Sequence, residues 1–151
     1  MDKGAANAGD VRMGTFIIGA AFLDTLSLTD SAGLPKSGNV EAKWRRFITA
    51  YFGDEYAFLR GAYNSFRSRL LHNYSASGIL FTHDEENAHR HCRPDPDGQT
   101  WMHRESFVRD VLAALDAFER DVTFDPALRS RVIKHWERYP PMGMVFRELG
   151  P

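Results

Sequence analysis

The sequence predicts a mainly α-helical fold, a bundle of about five helices with a small inserted β-hairpin. Apolar residues recur at spacings of three and four along most of the chain, which is the periodicity of helices with one buried face. Asn or Asp side chains that can cap a helix stand before several of these segments. The helical periodicity is lost between about residues 78 and 103, where short apolar runs alternate with Gly and Pro.

Length and composition limit the classes of protein to which this chain can belong. With 151 residues, of which 43% are hydrophobic, residues 11–151 are predicted to form a single domain around one core. Residues 1–10 are rich in Gly, Ala and Asn without periodicity, and a disordered tail is expected there. The net charge of −1 gives no overall attraction to nucleic acid or to an anionic membrane.

Cysteine content and hydropathy indicate a compartment. Cys92 is the single cysteine, which excludes an internal disulfide and favours a reducing environment. No run approaches the ~20 apolar residues of a membrane helix, and the apolar stretch 16–23 lacks the cleavage site of a signal peptide. A cytoplasmic protein without a membrane partner is therefore expected. The sequence has no Walker sequence and no Gly-x-Ser-x-Gly elbow, which argues against the common ATPase and hydrolase classes.

The first two helices differ in how much of their surface is apolar. The first, from Val11 to about Thr29, is apolar nearly all round, so it belongs in the centre of a bundle or in an oligomer interface. A loop with Gly33 and Pro35 follows it. Asn39 is predicted to cap the second helix, whose apolar face holds Val40, Trp44, Phe47 and Tyr51.

A third helix is predicted from about Asp54 to about Tyr74, with Asp54 as its capping residue. Its apolar face carries Tyr56, Leu59, Tyr63, Phe66, Leu70 and Tyr74. A separate polar row is formed by Arg60, Asn64 and Arg67. The helix does not need these three side chains in order to fold, which makes the row a candidate functional surface.

The middle of the chain is predicted to be the β insert. Gly78–Thr82 and Gln99–His103 have the composition of short strands, and Pro94–Gly98 has that of a tight turn. Glu86–Arg93 is predicted to be a middle strand that pairs across this turn. The insert would then be a hairpin or a three-stranded sheet within the helical domain.

Helical periodicity resumes near Arg104 and continues to about Arg138. The first of the two helices there has an apolar stripe of Phe107, Val111, Leu115, Phe118 and Val122. Asp125 followed by Pro126 predicts the cap and first position of the last helix. Met142, Met144, Phe146 and Leu149 make the C-terminal segment apolar, so it is expected to pack back onto the domain.

The end of the third predicted helix carries the clearest motif. Arg67-Ser68-Arg69-Leu70-Leu71-His72 places a histidine five positions after an arginine. This spacing resembles the R-x(4–6)-H signature of the HEPN superfamily. The resemblance implies a helical domain that cleaves RNA without a metal or other cofactor, in a toxin or defence system. It also implies a homodimer, and a protein partner such as an antitoxin.

Such a site needs a proton carrier and a phosphate clamp. The resemblance assigns catalysis to His72, which would transfer protons to and from RNA, and to Arg67, which would hold the phosphate. Residues five apart on a helix point about 140° apart, so two protomers would pool their residues across a symmetric cleft. Asn64, Arg69, Arg60 and Asn73 would be supporting substrate contacts.

The motif has alternative interpretations. The R-x(4–6)-H pattern occurs a second time, with His135 six positions after Arg129, and Ser68 stands where the family usually has Asn, Asp or His. His72 and Arg67 could instead have structural roles at the end of the helix, or bind RNA without cleaving it. A non-catalytic helical interaction module is the main competing class.

A zinc site is a further alternative. Within the predicted insert, His89 and His91 would share one face of a strand, with Cys92 beside them. Their spacing matches no standard zinc finger or H-E-x-x-H motif, so no metal is assigned.

Overall fold

The computed structural model describes residues 11–34, 38–70 and 77–139 of the chain. The predicted mainly helical fold is confirmed over these residues. The α-helices are α1 (Val11–Asp30), α2 (Val40–Tyr51), α3 (Arg104–Phe124) and α4 (Pro126–Arg138). Strands β1 (Ile79–Thr82) and β2 (Thr100–His103) form a small sheet. The predictions for the tail at residues 1–10 and for the packing of residues 142–149 lie outside the described residues.

Two helices begin where their capping residues predict. The Asn39 side chain accepts a hydrogen bond from the Ala42 backbone N–H at 3.0 Å and caps α2. The Asp125 carboxylate accepts from the N–H groups of Ala127 and Leu128 at 2.8 and 3.1 Å, with Pro126 as the first residue of α4. Both caps satisfy N–H groups that have no partner within the helix.

The prediction of one long third helix with Asp54 as its cap is wrong. The chain forms a 3-10 helix over Asp54–Gly61 and a π-helix over Tyr63–Ser68, with the break at Ala62. Gly53 precedes the 3-10 helix without a side-chain cap. The Leu59 carbonyl accepts from the Trp44 indole N–H at 2.7 Å and from the Ala62 N–H at 3.1 Å. In an α-helix this carbonyl would accept from residue 63, so the tryptophan contact favours the break.

The strands lie where they were predicted, but their pairing corrects the hairpin. β1 and β2 are parallel, with Ile79 opposite Thr100 and Thr82 opposite His103. Parallel strands need a crossover, which residues 83–99 supply. The predicted turn at Pro94–Gly98 is present, since the Asp95 N–H donates to the Gln99 carbonyl at 2.7 Å.

The predicted middle strand over Glu86–Arg93 is also wrong. Glu85–Arg90 is a 3-10 helix, and only the residues just after it pair across the turn. There the Cys92 N–H donates to the Trp101 carbonyl at 2.8 Å, and the Trp101 N–H donates to the Arg93 carbonyl at 3.0 Å. One edge of β2 is therefore filled by β1 and the other by this short antiparallel contact.

The core lies between α1 and the elements that surround it. Its largest fully buried side chains include Phe16, Trp44, Phe47, Tyr56, Phe66 and Phe107. Gly19 allows α1 to approach α3 closely, because a Cβ atom at that position would overlap the Phe107 ring. Among the described helices, none combines the length and apolar character needed to cross a membrane.

Candidate functional site

Arg67, the predicted phosphate clamp, is held by a carboxylate of its own chain. Its Nε donates to Asp24 Oδ2 at 3.0 Å, and its guanidinium lies 5.9 Å from the centre of the Tyr63 ring. The Arg67 side chain is 32% exposed and that of Asp24 is 12% exposed. The ion pair neutralises Arg67 and links the π-helix to α1.

The other residues of the polar row also have intramolecular partners or point into solvent. The Asn64 side-chain amide donates to the Glu41 carboxylate, and Arg60 donates to Asp54 Oδ1 at 2.8 Å. Arg69 is exposed. His72 and Asn73 lie outside the described residues, so the geometry between Arg67 and His72 is not established. The structure thus brings carboxylates, rather than further cations, to the described part of this row.

A basic cleft of about 500 Å³ lies elsewhere, between α4, the turn after α1, and α2. Its basic residues are Lys43, Arg131, Lys134, His135 and Arg138. The rest of its surface is Leu28, Ser31, Ala32, Gly33 and Tyr139. Neither Asp nor Glu is among these lining residues.

The spacing of residues on α4 builds one wall of the basic cleft. Positions 131, 134, 135 and 138 share one face, because three- and four-residue steps return to the same side of a helix. Leu128 and Val132 are buried and anchor α4 on the core. Gly33, with a φ of 67°, turns the chain after α1, and a Cβ atom there would lie 3.7 Å from Arg131 Cδ.

The cations of the basic cleft lack neutralising ion pairs with the residues that the structure describes. Within the described part of the chain, no ion pair engages Lys43, Arg131, Lys134 or Arg138. Arg131 also borders a neighbouring cavity with Asp30, Asp121 and Asp125, but none of these pairs with it, and Asp30 pairs instead with Arg46. Uncompensated positive charge in a concave site attracts anions.

Burial lowers the pKa of the His135 imidazole, and the positive charge of Lys43 lowers it further. His135 is therefore neutral near pH 7, with a nitrogen that can accept a proton. Its ring lies 5.4 Å from the Tyr139 ring, and the Arg138 guanidinium lies 5.3 Å from the same tyrosine ring. An aromatic surface thus stands beside the cations.

Two buried polar atoms on residues of the basic cleft have no hydrogen-bond partner in the part of the chain that the structure describes. They are Ser31 Oγ, on a residue that is 1% exposed, and Arg131 Nε. Buried polar groups are nearly always paired, so each such exception requires an explanation. A ligand that accepts hydrogen bonds from these two atoms would explain why both lack a partner within the described chain.

The second copy of the motif is only partly in the basic cleft. Arg129 donates to the backbone carbonyls of Val122 and Thr123 at the end of α3, so its role is structural. Arg131 is the arginine that shares a face with His135. The row on α4 could have been found in the sequence from its basic residues at spacings of three and four. Lys43 and Ser31 join it only through tertiary structure.

The insert holds a buried polar network instead of a cluster of metal ligands. Tyr56 Oη lies 2.8 Å from His91 Nε2 and donates to Asp110 Oδ2 at 2.9 Å. His91 Nδ1 accepts from the His103 N–H at 3.0 Å, so the proton of the neutral ring is on Nε2, 3.2 Å from Asp110. Each member has a partner, and the network connects the insert to α3.

The candidate zinc ligands do not converge. His89 is exposed on the 3-10 helix, His91 belongs to the polar network, and burial raises the pKa of the Cys92 thiol to about 12. A thiol that stays protonated is a poor metal ligand and a poor nucleophile. Among the described residues, no three or more His, Cys, Asp or Glu side chains are grouped so that they could hold a metal ion.

Comparison of the chain with protein-family models, curated proteins and solved structures gives no match.

Proposed function

We propose that this protein binds RNA through the basic cleft, with Lys43, Arg131, Lys134 and Arg138 contacting phosphate groups. The observation that carries the proposal is a concave surface on which the described lining residues include four permanent cations and no carboxylate. Phosphate contacts supply most of the free energy of nucleic-acid binding, and Arg and Lys are the side chains that make them.

Two further features favour RNA among anionic ligands. Tyr139 is 57% exposed beside the cations and offers a ring on which an unpaired base can stack. The motif that resembles HEPN proteins points to RNA independently, although its described arginine, Arg67, lies outside the basic cleft. We assign the phosphate contacts to the basic cleft because Arg67 is already neutralised by Asp24.

Binding of a fluorescent single-stranded RNA, followed by anisotropy, tests the proposal. The variant is the double substitution Lys134→Ala with Arg138→Ala, and the control is Arg93→Ala with Arg120→Ala, which removes the same charge from exposed positions elsewhere. Loss of two phosphate contacts should weaken binding by about tenfold or more, while the control binds like the wild type. Equal affinities for the two double variants, or no RNA binding by the wild type, would refute the proposal.

The proposed RNA binding could be accompanied by cleavage of the bound RNA. The resemblance assigns cleavage to Arg67 and His72, whereas the basic cleft offers His135, the histidine of the second copy of the motif, beside Arg131. Incubation of a mixed RNA pool with the protein in EDTA separates the two sites. Cleavage that is lost in His72→Ala but kept in His135→Ala would locate catalysis on the first motif, and the reverse would locate it in the basic cleft. Binding without any cleavage would leave a non-catalytic RNA-binding module.

We also propose that two copies of the chain pair through α1 and α3. An apolar groove of about 320 Å³ runs between these helices, with Phe22, Val111 and Leu115 among its walls. Ile18 is 71% exposed and Leu112 is 54% exposed at its edge. The adjoining surface carries Arg104 and Arg109 together with Glu105 and Asp116. Charges of both signs on one face can pair with themselves across a two-fold axis.

The mass of the protein in solution, measured by light scattering, tests this pairing. The wild type should be a dimer at micromolar concentration, and Ile18→Asp should be a monomer because it buries a charge in the interface. Ile133→Asp, at another exposed apolar position on α4, is the matched control and should remain dimeric. A monomeric wild type would refute the pairing and would leave the RNA proposal standing.

A further inference from the structure

Two of the residues that line the basic cleft, Ser31 and Arg131, each carry a buried polar side-chain atom. Ser31 Oγ and Arg131 Nε are both shielded from solvent, and neither has a hydrogen-bond partner within the described chain. The backbone around Ser31 is satisfied, since its N–H donates to the Ser27 carbonyl at 3.3 Å and its carbonyl accepts from the Leu34 N–H at 3.3 Å. The unmet hydrogen-bonding capacity is therefore in the side chains, which can both donate to an anion.

We propose that this inner part of the basic cleft is a pocket for a terminal phosphate group, so that the protein recognises RNA ends that carry a phosphate monoester. This inference rests on the proposed RNA binding and specifies the class of RNA. Ser31 Oγ and Arg131 Nε donate to the phosphate oxygens, and the remaining cations of the basic cleft contact the chain that leads away from it.

Steric access and charge distinguish the end of an RNA from its interior. Ser31 is 1% exposed, so a group that reaches its hydroxyl must enter the fold. An internal phosphodiester continues into the chain through two ester oxygens, whereas a monoester is attached through one and can enter a pocket end-on. A monoester also carries a charge of about −1.5 to −2 near pH 7 and three free acceptor oxygens. These acceptors match the two buried donors and their cationic neighbours.

Arg131 offers the inner part of the basic cleft an Nε donor, which lysine lacks. Gly33 lies against the methylene groups of Arg131, with the position of its absent Cβ 3.7 Å from Cδ and 3.8 Å from Cγ. This contact holds the side chain along the turn that also carries Ser31. Arg131→Lys keeps the charge but removes the Nε donor, so it separates geometry from electrostatics.

The experiment compares the affinities of matched single-stranded RNAs with a 5′-phosphate, a 3′-phosphate or hydroxyl groups at both ends. We expect the wild type to prefer one of the phosphorylated RNAs by about tenfold, which also identifies the end that is recognised. Ser31→Ala and Arg131→Lys should each reduce this preference several-fold, and Ser31→Ala should keep the wild-type affinity for the hydroxyl-ended RNA.

The melting temperature distinguishes a role of Ser31 in binding from a role in the stability of the fold. Because Ser31 Oγ has no hydrogen-bond partner among the described residues, Ser31→Ala should leave the melting temperature unchanged or raise it. Ser27→Ala is the matched control, since Ser27 Oγ donates to the Asp24 carbonyl at 2.8 Å in the core. That variant should lower the melting temperature and keep the preference for phosphorylated ends.

Different results would contradict the terminal-phosphate pocket and the proposed RNA binding. Equal affinity of the wild type for all three RNAs would overturn the terminal-phosphate pocket and leave RNA binding intact. If no RNA binds, a nucleoside 5′-monophosphate tested by calorimetry decides the matter. Binding that is lost in Arg131→Lys would keep a phosphate pocket without RNA, and absence of binding would overturn both.

Discussion

Arg67 shows how a residue that matches a functional motif can have a structural partner. Its ion pair with Asp24 joins segments that are 43 positions apart in the sequence. The second carboxylate oxygen of Asp24 is buried and has no hydrogen-bond partner among the residues that the structure describes, which increases the dependence of this carboxylate on Arg67. The residue-level prediction therefore concerns folding as well as activity.

Arg67→Ala should lower the free energy of unfolding by about 1–3 kcal/mol, because it leaves a mostly buried carboxylate unpaired. Chemical denaturation of the variant and the wild type measures this change. Arg69→Ala is the control, since Arg69 is exposed, and it should unfold like the wild type. A stable Arg67→Ala protein would show that the ion pair contributes little, and would restore Arg67 as a free phosphate ligand.

His135 should make both the stability of the fold and the affinity for RNA depend on pH. Burial and the charge of Lys43 lower its pKa, so protonation opposes folding, and its contribution to stability is lost as the pH falls below the unfolded pKa of about 6.5. A bound phosphodiester favours the imidazolium, so binding raises the pKa and takes up a proton. Affinity for hydroxyl-ended RNA should rise several-fold between pH 7.5 and 5.5. His135→Gln should remove that rise, and a pH response that persists in this variant would show that another group titrates.

Helix ends and turns that depend on residues close in the sequence could be predicted. Asn39 and Asp125 cap α2 and α4 as their positions indicate, and the turn at Pro94–Gly98 follows from its proline and glycine. The 3-10 and π segments and the parallel pairing were not predictable, since they depend on contacts between distant parts of the chain. Trp44, whose indole binds the Leu59 carbonyl across 15 positions, is the clearest case.

Trp44→Phe tests that contact. The substitution keeps an aromatic ring in the core but removes the indole N–H, so it should cost about 1–3 kcal/mol of unfolding free energy and speed amide hydrogen exchange near Ala62. Trp136→Phe, at a partly buried position on α4, serves as control and should leave exchange at Ala62 unchanged. Unaltered exchange in Trp44→Phe would mean that other contacts hold the break in the helix.

The candidate site was predictable in part. The basic residues of α4 lie at helical spacings that can be read from the sequence, and His135 was identified through the second copy of the motif. Lys43 and Ser31 come from α2 and from the turn after α1, and no local pattern links them to α4. The exposed face of α1 is consistent with its apolar sequence, which pointed to a bundle centre or an interface.

At the scale of the whole molecule, the net charge of −1 conceals an uneven distribution. Asp24, Asp30, Asp54 and Asp110 pair with basic groups of the fold, whereas the cations of the basic cleft have no described carboxylate partner. The uncompensated positive charge is thus local, as the proposed binding of RNA at one place requires. RNA bound at this place should contact α4, the turn after α1, and α2.

Photochemical cross-linking of a bound RNA, followed by mass spectrometry of the protein, tests this central claim most directly. We predict cross-linked peptides from residues 131–139, with Tyr139 prominent because its ring is exposed beside the cations. The double variant Lys134→Ala with Arg138→Ala should lose these cross-links. Cross-links confined to residues 60–73 would contradict the assignment and return the RNA site to the first motif.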